Sequence, residues 1–320
     1  MERDRTADAD DRDGRRPSRR RVLEAIGAAT AAGTAGVAGT GVTGADPEEE
    51  GDDELAGLQL ATGDPCEWER TDDSRLPFET EGYGGWGGHE FLDTESGLDH
   101  YPVVLAHGNT RDACDFLDHA EYFMERGFGG DALWAITFGR EGSTHDEMRN
   151  QLEDFVTQIL EYTGVNKVQV LGHSLGVTGL RYWMDGLDDY PDRYDRVETL
   201  VGLAGANDGT WTCGPGCEEG PDNTRVCQFI SHDCADTPGE PLYELNTPDE
   251  TPHDEEIDYH TLRGSADEFF LVRPESPTLE GAENVEMATD HDGVRTEEAA
   301  KQLAYEWLST PLSPDARRQD

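Results

Sequence analysis

Hydrophobic and polar positions fall into blocks along the chain, and the blocks have two characters. Short runs dense in Val, Leu and Ile recur at Tyr101–Ala106 (YPVVLA), Ala132–Phe138 (ALWAITF), Lys167–Leu171 (KVQVL) and Val197–Ala204 (VETLVGLA). Runs of that length and β-branched content predict buried strands. Between them the apolar residues recur three and four apart. His145–Tyr162 is the clearest case, with Met148, Leu152, Phe155, Val156, Ile159 and Leu160 on one face of a helix. Asp115–Arg126, with Phe116, Ala120 and Phe123, and Val177–Gly186 predict two more helices. Strands alternating with helices predict an α/β fold, a mainly parallel sheet flanked by helices on both faces.

The rhythm fails at Gly205–Asp258, which is rich in Gly, Pro, Asp and Cys and has no period. A long irregular stretch inside a compact domain is usually functional. Residues 205–258 are therefore read as an insertion that covers or borders the active face, as a lid or substrate-binding region. Regularity returns with predicted strands at Tyr259–Ser265 and Asn284–Thr289 and a final helix at Thr296–Ser309. Gly82–Glu90 (GYGGWGGHE) reads as an irregular loop. The expected organisation is an acidic N-terminal segment and loop over 46–98, an α/β domain over 99–310 and a disordered tail over 311–320.

Charge changes the picture of the surface. The 320 residues carry 70 acidic and 25 basic side chains, a net −45, and the only lysines are Lys167 and Lys301. The acids are dispersed along a patterned chain, which implies a folded protein covered in carboxylates rather than an acidic tail. Such a surface repels itself at low ionic strength. At molar salt the Debye length shrinks to about 3 Å and the repulsion is screened. The composition resembles that of haloarchaeal proteins. It also argues against nucleic acid or anionic membrane as partners, since no basic patch is present to meet phosphates.

Residues 1–45 differ from the rest. A charged stretch leads to Arg19-Arg20-Arg21-Val22-Leu23 and then to an Ala/Gly/Val/Thr run ending near Ala45. Paired arginines before a mildly apolar stretch resemble a twin-arginine export signal. The expected locale is extracellular, with the translocation machinery as a transient partner. Six cysteines fit that compartment: Cys66, Cys114, Cys213, Cys217, Cys227 and Cys234. An even count in an exported chain favours disulfides. A metal site at the last four, beside His232, is the competing reading, although their spacing lacks the paired C-x2-C of a zinc ribbon.

The candidate chemistry centres on Gly172-His173-Ser174-Leu175-Gly176. A predicted strand precedes it and a predicted helix follows, the context of a nucleophile elbow. Ser174 is the candidate nucleophile. A serine hydroxyl needs a base to take its proton, and a histidine held by a carboxylate serves, in the chain order Ser, acid, His. Asp267, after the strand at 259–265, and His291, after the last predicted strand, both lie where loops leave the carboxyl edge of the sheet. Asp208 is the rival acid and His260, inside a predicted strand, the rival base. The strand at 101–106 runs into His107-Gly108-Asn109, where half of an oxyanion hole is expected. The backbone N–H groups of Asn109 and Leu175 are assigned to it, and His107 is given the role of shaping the loop.

From about Tyr101 to Leu308 the chain resembles the class 2 lipases of the α/β-hydrolase superfamily. PVVLAHG, KVQVLGHSLG, VETLVGLAGAND, LRGSADEFF and GAENVEMATDHDGV carry the resemblance. It implies ester hydrolysis by a serine triad completed by Asp267 and His291, with no cofactor. Asp290 stands before the histidine where the bacterial lipases usually have glycine, and the small members lack the Cys-rich insertion. His107-Gly108-Asn109 and that insertion also resemble certain extracellular polyhydroxyalkanoate depolymerases, which keeps polyester hydrolysis open, with Trp211 as a candidate grip on a polymer. A non-catalytic binding protein on the same fold is the alternative from another class. The complete Ser, Asp and His set argues against it.

Overall fold

A computed structural model describes residues 66, 68–186, 191–217 and 225–317. The expected export signal, the first acidic residues and the last three residues lie outside the described residues.

Seven strands form one sheet: β1 (Gly84–Gly87), β2 (Val103–Ala106), β3 (Leu133–Thr137), β4 (Val168–His173), β5 (Val197–Leu203), β6 (Asp258–Gly264) and β7 (Glu283–Met287), in the order β1-β3-β2-β4-β5-β6-β7. Only the edge strand β1 is antiparallel. After β3 the chain crosses back over β2 to β4, so the direction of winding switches between β2 and β4, side by side at the centre of the sheet. A ligand site belongs where such a sheet switches direction, beyond the carboxyl ends of the strands. Strands β2, β3 and β4 are buried along their whole length, which explains why they read as continuous apolar runs.

The helices in chain order are α1 (Leu117–Met124), α2 (His145–Thr163), α3 (Leu175–Asp185), the short α4 (Cys227–Ile230), α5 (His232–Asp236) and α6 (Pro241–Asn246), then α7 (Gly293–Thr296) and α8 (Glu298–Leu308). Helix α2 starts with a capping box: the Thr144 hydroxyl accepts from the Glu147 N–H, and the Glu147 carboxylate accepts from the Thr144 N–H. It ends at Gly164 in the left-handed region, the usual stop. Its buried stripe contains all six residues that the sequence period picks out, together with His145 and Arg149.

Three differences from the sequence reading have physical causes. Gly84–Gly87, expected as loop, is an edge strand. Its Gly-rich sequence has no alternation to reveal it; Trp86 anchors it in the core and donates its indole N–H to the Ala113 carbonyl at 2.9 Å. Residues 311–317, expected as disordered tail, return to the domain. The Leu312 N–H donates to the Asp99 carbonyl, Asn166 donates to Ala316, and Ala316 is buried. The stretch is too short to show a period. The predicted helix at 115–126 opens as a 3₁₀ turn at Ala113–Phe116, capped by the Asp112 carboxylate.

All six cysteines are paired, as Cys66–Cys114, Cys213–Cys227 and Cys217–Cys234. Two bridges staple the insertion, and the third ties the N-terminal stretch to the turn after β2. Disulfide sulfurs are not thiolates, so the metal reading of the cysteines loses its ligands.

Candidate active site

The elbow between β4 and α3 dictates its own sequence. Ser174 has φ +54° and ψ −122°, an uncommon backbone state for a residue with a side chain and a mark of stored strain. A Cβ on Gly172 would lie 2.7 Å from the Val177 nitrogen. A Cβ on Gly176 would collide with the Ala106 carbonyl oxygen and come within 2.7 Å of that of His107. Both glycines are thus required by close approach. The Ser174 N–H is fixed on the Leu203 carbonyl at 2.8 Å, which ties the turn to β5.

The loop after β2 lies against this turn. A Cβ on Gly108 would sit 3.1 Å from Ser174 Cβ. The next residues are held by the Thr110 N–H on the Glu141 carbonyl at 2.8 Å and the Arg111 N–H on the Gly108 carbonyl. Among the described residues, the backbone N–H groups of Asn109 and Leu175 have no hydrogen-bond partner. Leu175 opens α3, so its free N–H also stands at the positive end of a helix dipole.

His291 and Asp267 come from the loops after β7 and β6. His291 Nδ1 and Asp267 Oδ2 are 2.8 Å apart, and both side chains are buried. The other Asp267 oxygen accepts the Phe269 N–H at 3.0 Å. The His291 ring packs between Phe269, with ring centres 4.5 Å apart, and His173 at 4.9 Å. His173, the residue before the elbow serine, donates its Nε2 proton to the His291 carbonyl at 3.1 Å. Burial and the neighbouring cations and imidazole push the His173 pKa well below the usual value, so it stays neutral.

Asp208 is half-exposed and faces Arg273 at 3.9 Å, not His291. His260 lies within β6, stacked on Trp307 and 3.2 Å from Glu283. In His107 both ring nitrogens are occupied: Nδ1 donates to the Gly108 carbonyl at 2.7 Å and Nε2 accepts the Phe138 N–H at 3.0 Å. Burial pushes its pKa down to about 3, and it shapes the loop as a neutral ring.

Several supporting residues carry no sequence signal. Arg295, four residues beyond His291, is buried and donates to the Asp115 carbonyl at 2.8 Å. Arg111 pairs with the Asp115 carboxylate at 2.9 Å. The Arg295 bond spans 180 residues, and no local pattern foretells it. Beside the site the insertion presents Trp211, 51% exposed and stacked on His232. The neighbouring Thr210 hydroxyl donates to the Phe269 carbonyl at 2.8 Å, and Phe269, Leu271 and Val272 are also exposed.

A seven-stranded, mainly parallel sheet with a strained serine at the central strand–helix turn defines an α/β hydrolase. The fold is similar to that of the mature lipase BlEst2 of Bacillus licheniformis, at 15% identity and a TM-score of 0.52, over 68% of this chain and 95% of that one. It is also similar to lipase B of Aspergillus fumigatus, at 14% identity and a TM-score of 0.53, over 81% of this chain and 66% of that one. Residues 100–302, more than half of the chain, match the family model for lipase (class 2). The chain belongs to the class 2 lipase family, and it is an ester hydrolase.

Proposed function

We propose that this protein is a secreted, salt-adapted serine carboxylic-ester hydrolase, and that its reaction runs through an acyl-enzyme. The observation that carries the reading is the Asp267–His291 pair at 2.8 Å, beside the elbow that holds Ser174. Ser174 Oγ attacks the ester carbonyl while His291 Nε2 takes its proton. The Asp267 carboxylate keeps the His291 Nδ1 proton in place and stabilises the imidazolium. The N–H groups of Leu175 and Asn109 receive the oxyanion; one such donor is worth about 3–4 kcal/mol. His291 then gives its proton to the leaving alkoxide, and the alcohol departs. A water that loses its proton to His291 cleaves the acyl-enzyme, releasing the acid and restoring Ser174.

Export by the twin-arginine route rests on the paired arginines before the apolar run, and salt adaptation rests on the net charge of −45. The three disulfides are consistent with an oxidising compartment. The exposed Phe269 against His291, followed in the chain by the exposed Leu271 and Val272, favours an insoluble ester. That keeps a polyester of the polyhydroxyalkanoate type as a second substrate beside acylglycerols.

The test is hydrolysis of p-nitrophenyl esters of increasing acyl length in molar salt, with wild type beside Ser174→Ala. The expected result is a rate that vanishes in the variant while its circular dichroism is unchanged. Hydrolysis by Ser174→Ala at the wild-type rate overturns the reading.

A further inference from the structure

The candidate oxyanion loop is held from outside the region that matches the family. Cys66 and residues 68–76 run ahead of residues 100–302, yet they reach the loop at two points. Cys66 is bonded to Cys114, whose own N–H donates to the Asp112 carboxylate that caps this turn. Arg70 makes the second connection. Its Nε donates to the Phe138 carbonyl at 2.8 Å, just past β3, and an NH2 proton goes to the Arg111 carbonyl at 2.7 Å, two residues beyond Asn109. The same NH2 lies 3.5 Å from His107 Nε2. One planar guanidinium therefore ties the end of β3 to the loop that follows β2.

The approach is possible because Gly84 has no side chain. A Cβ there would meet the Asp72 carbonyl at 2.5 Å and the Arg70 carbonyl at 2.8 Å. The edge strand β1 thus seats the segment that delivers Arg70. The loop itself needs external support: Thr110 has φ +62°, a state that a β-branched residue rarely holds unaided.

We infer that Arg70 is a positioning residue for the oxyanion hole, and that the Cys66–Cys114 bridge anchors the segment that carries it. This rests on the proposed roles of Ser174 and Asn109. A guanidinium on two carbonyls fixes both distance and plane, which an ammonium on a flexible stem does not reproduce. Released, the Asn109 N–H drifts from the place where the oxyanion forms, and a displacement of about 1 Å at such a donor costs about 100-fold in rate.

The test compares full-length wild type, Arg70→Gln, Arg70→Lys and Cys66→Ser in molar salt. The readouts are kcat and KM on p-nitrophenyl butyrate and the Ki of phenylboronic acid, whose tetrahedral serine adduct places an oxygen where the oxyanion sits. For Arg70→Gln the expected result is kcat lower by about 10- to 100-fold, KM within about twofold, and Ki raised in step with the fall in kcat. Arg70→Lys should recover part of both, and Cys66→Ser should weaken boronate binding in the same direction. Partial unfolding lowers the active fraction but leaves Ki unchanged, so an unchanged Ki in Arg70→Gln overturns the inference. Ser174→Ala, run alongside, separates the two failures. Hydrolysis without Ser174 removes the underlying reading, whereas Ser174-dependent hydrolysis with an unchanged Ki removes only the brace.

Discussion

Replacing Asp267 with asparagine tests the site most sharply, because its hydrogen bonds leave the amide no good orientation. Asp267 accepts from both neighbours, His291 Nδ1 at 2.8 Å and the Phe269 N–H at 3.0 Å. An asparagine has one acceptor oxygen. If that oxygen stays on the Phe269 N–H, the NH2 group faces Nδ1 and forces the ring proton onto Nε2, the nitrogen that must receive the serine proton. If the amide turns over, two N–H donors face each other in a buried site, at a cost of about 1–3 kcal/mol. The first arrangement avoids that cost and is the one expected. A wrong tautomer of this kind lowers kcat about 10⁴-fold, or about 5.5 kcal/mol of transition-state stabilisation. The assay is steady-state hydrolysis of p-nitrophenyl butyrate in molar salt, with Asp208→Asn as control. Asp208 faces Arg273 and is half-exposed, so its variant should stay within about twofold of wild type. Asp267→Asn within tenfold of wild type, or an inactive Asp208→Asn, refutes the assignment.

Three further outcomes follow from the same geometry. Gly176→Ala should abolish hydrolysis and lower the thermal midpoint, since its Cβ meets the Ala106 and His107 carbonyls; an active, equally stable variant contradicts the elbow's packing. Stability should fall as pH drops below about 6.5, because His107, His119 and His145 are held neutral in the fold, with pKa values pushed down to about 3 by burial, while the unfolded chain binds those protons at about 6.5. Each costs up to about 1.4 kcal/mol per pH unit over that window. Among the described residues both His119 ring nitrogens lack hydrogen-bond partners, so His119→Leu should retain about 2 kcal/mol more than wild type between pH 6.5 and 5; parallel urea midpoints for the two proteins at pH 7.5 and 5 deny this. Dialysis from molar salt to dilute buffer should unfold the chain through carboxylate repulsion, read by circular dichroism, and an unchanged spectrum removes the salt argument.

The parts legible in the sequence are those governed by local physics. Strands β2 to β5 announce themselves because burial on both faces demands apolar runs, and α2 because one buried face demands a 3.6-residue period. The elbow is legible because a tight strand–helix turn admits only glycine at Gly172 and Gly176. The edge strand β1 was hidden because a GGWG segment pairs through its backbone and one tryptophan. Arg70 and Arg295 were hidden because their meaning lies in carbonyls 41 to 180 residues away.

The histidines show why composition alone could not name the base. Three carry a carboxylate close to Nδ1: His89 with Asp131 at 2.7 Å, His260 with Glu283 at 3.2 Å and His291 with Asp267 at 2.8 Å. A carboxylate on Nδ1 is thus necessary for the role but does not single out a residue. What separates them is position. His89 follows β1 and pairs with Asp131 just before β3 begins, and His260 sits within β6. Because β1 runs antiparallel, its carboxyl end lies at the opposite edge of the sheet, whereas His291 follows the carboxyl end of the parallel strand β7 and packs against His173, the neighbour of Ser174. Topology is thus what sets the proposed base apart, since the sheet brings the carboxyl-end loops of its parallel strands to one edge, and a proton shared with Asp267 would fix its tautomer.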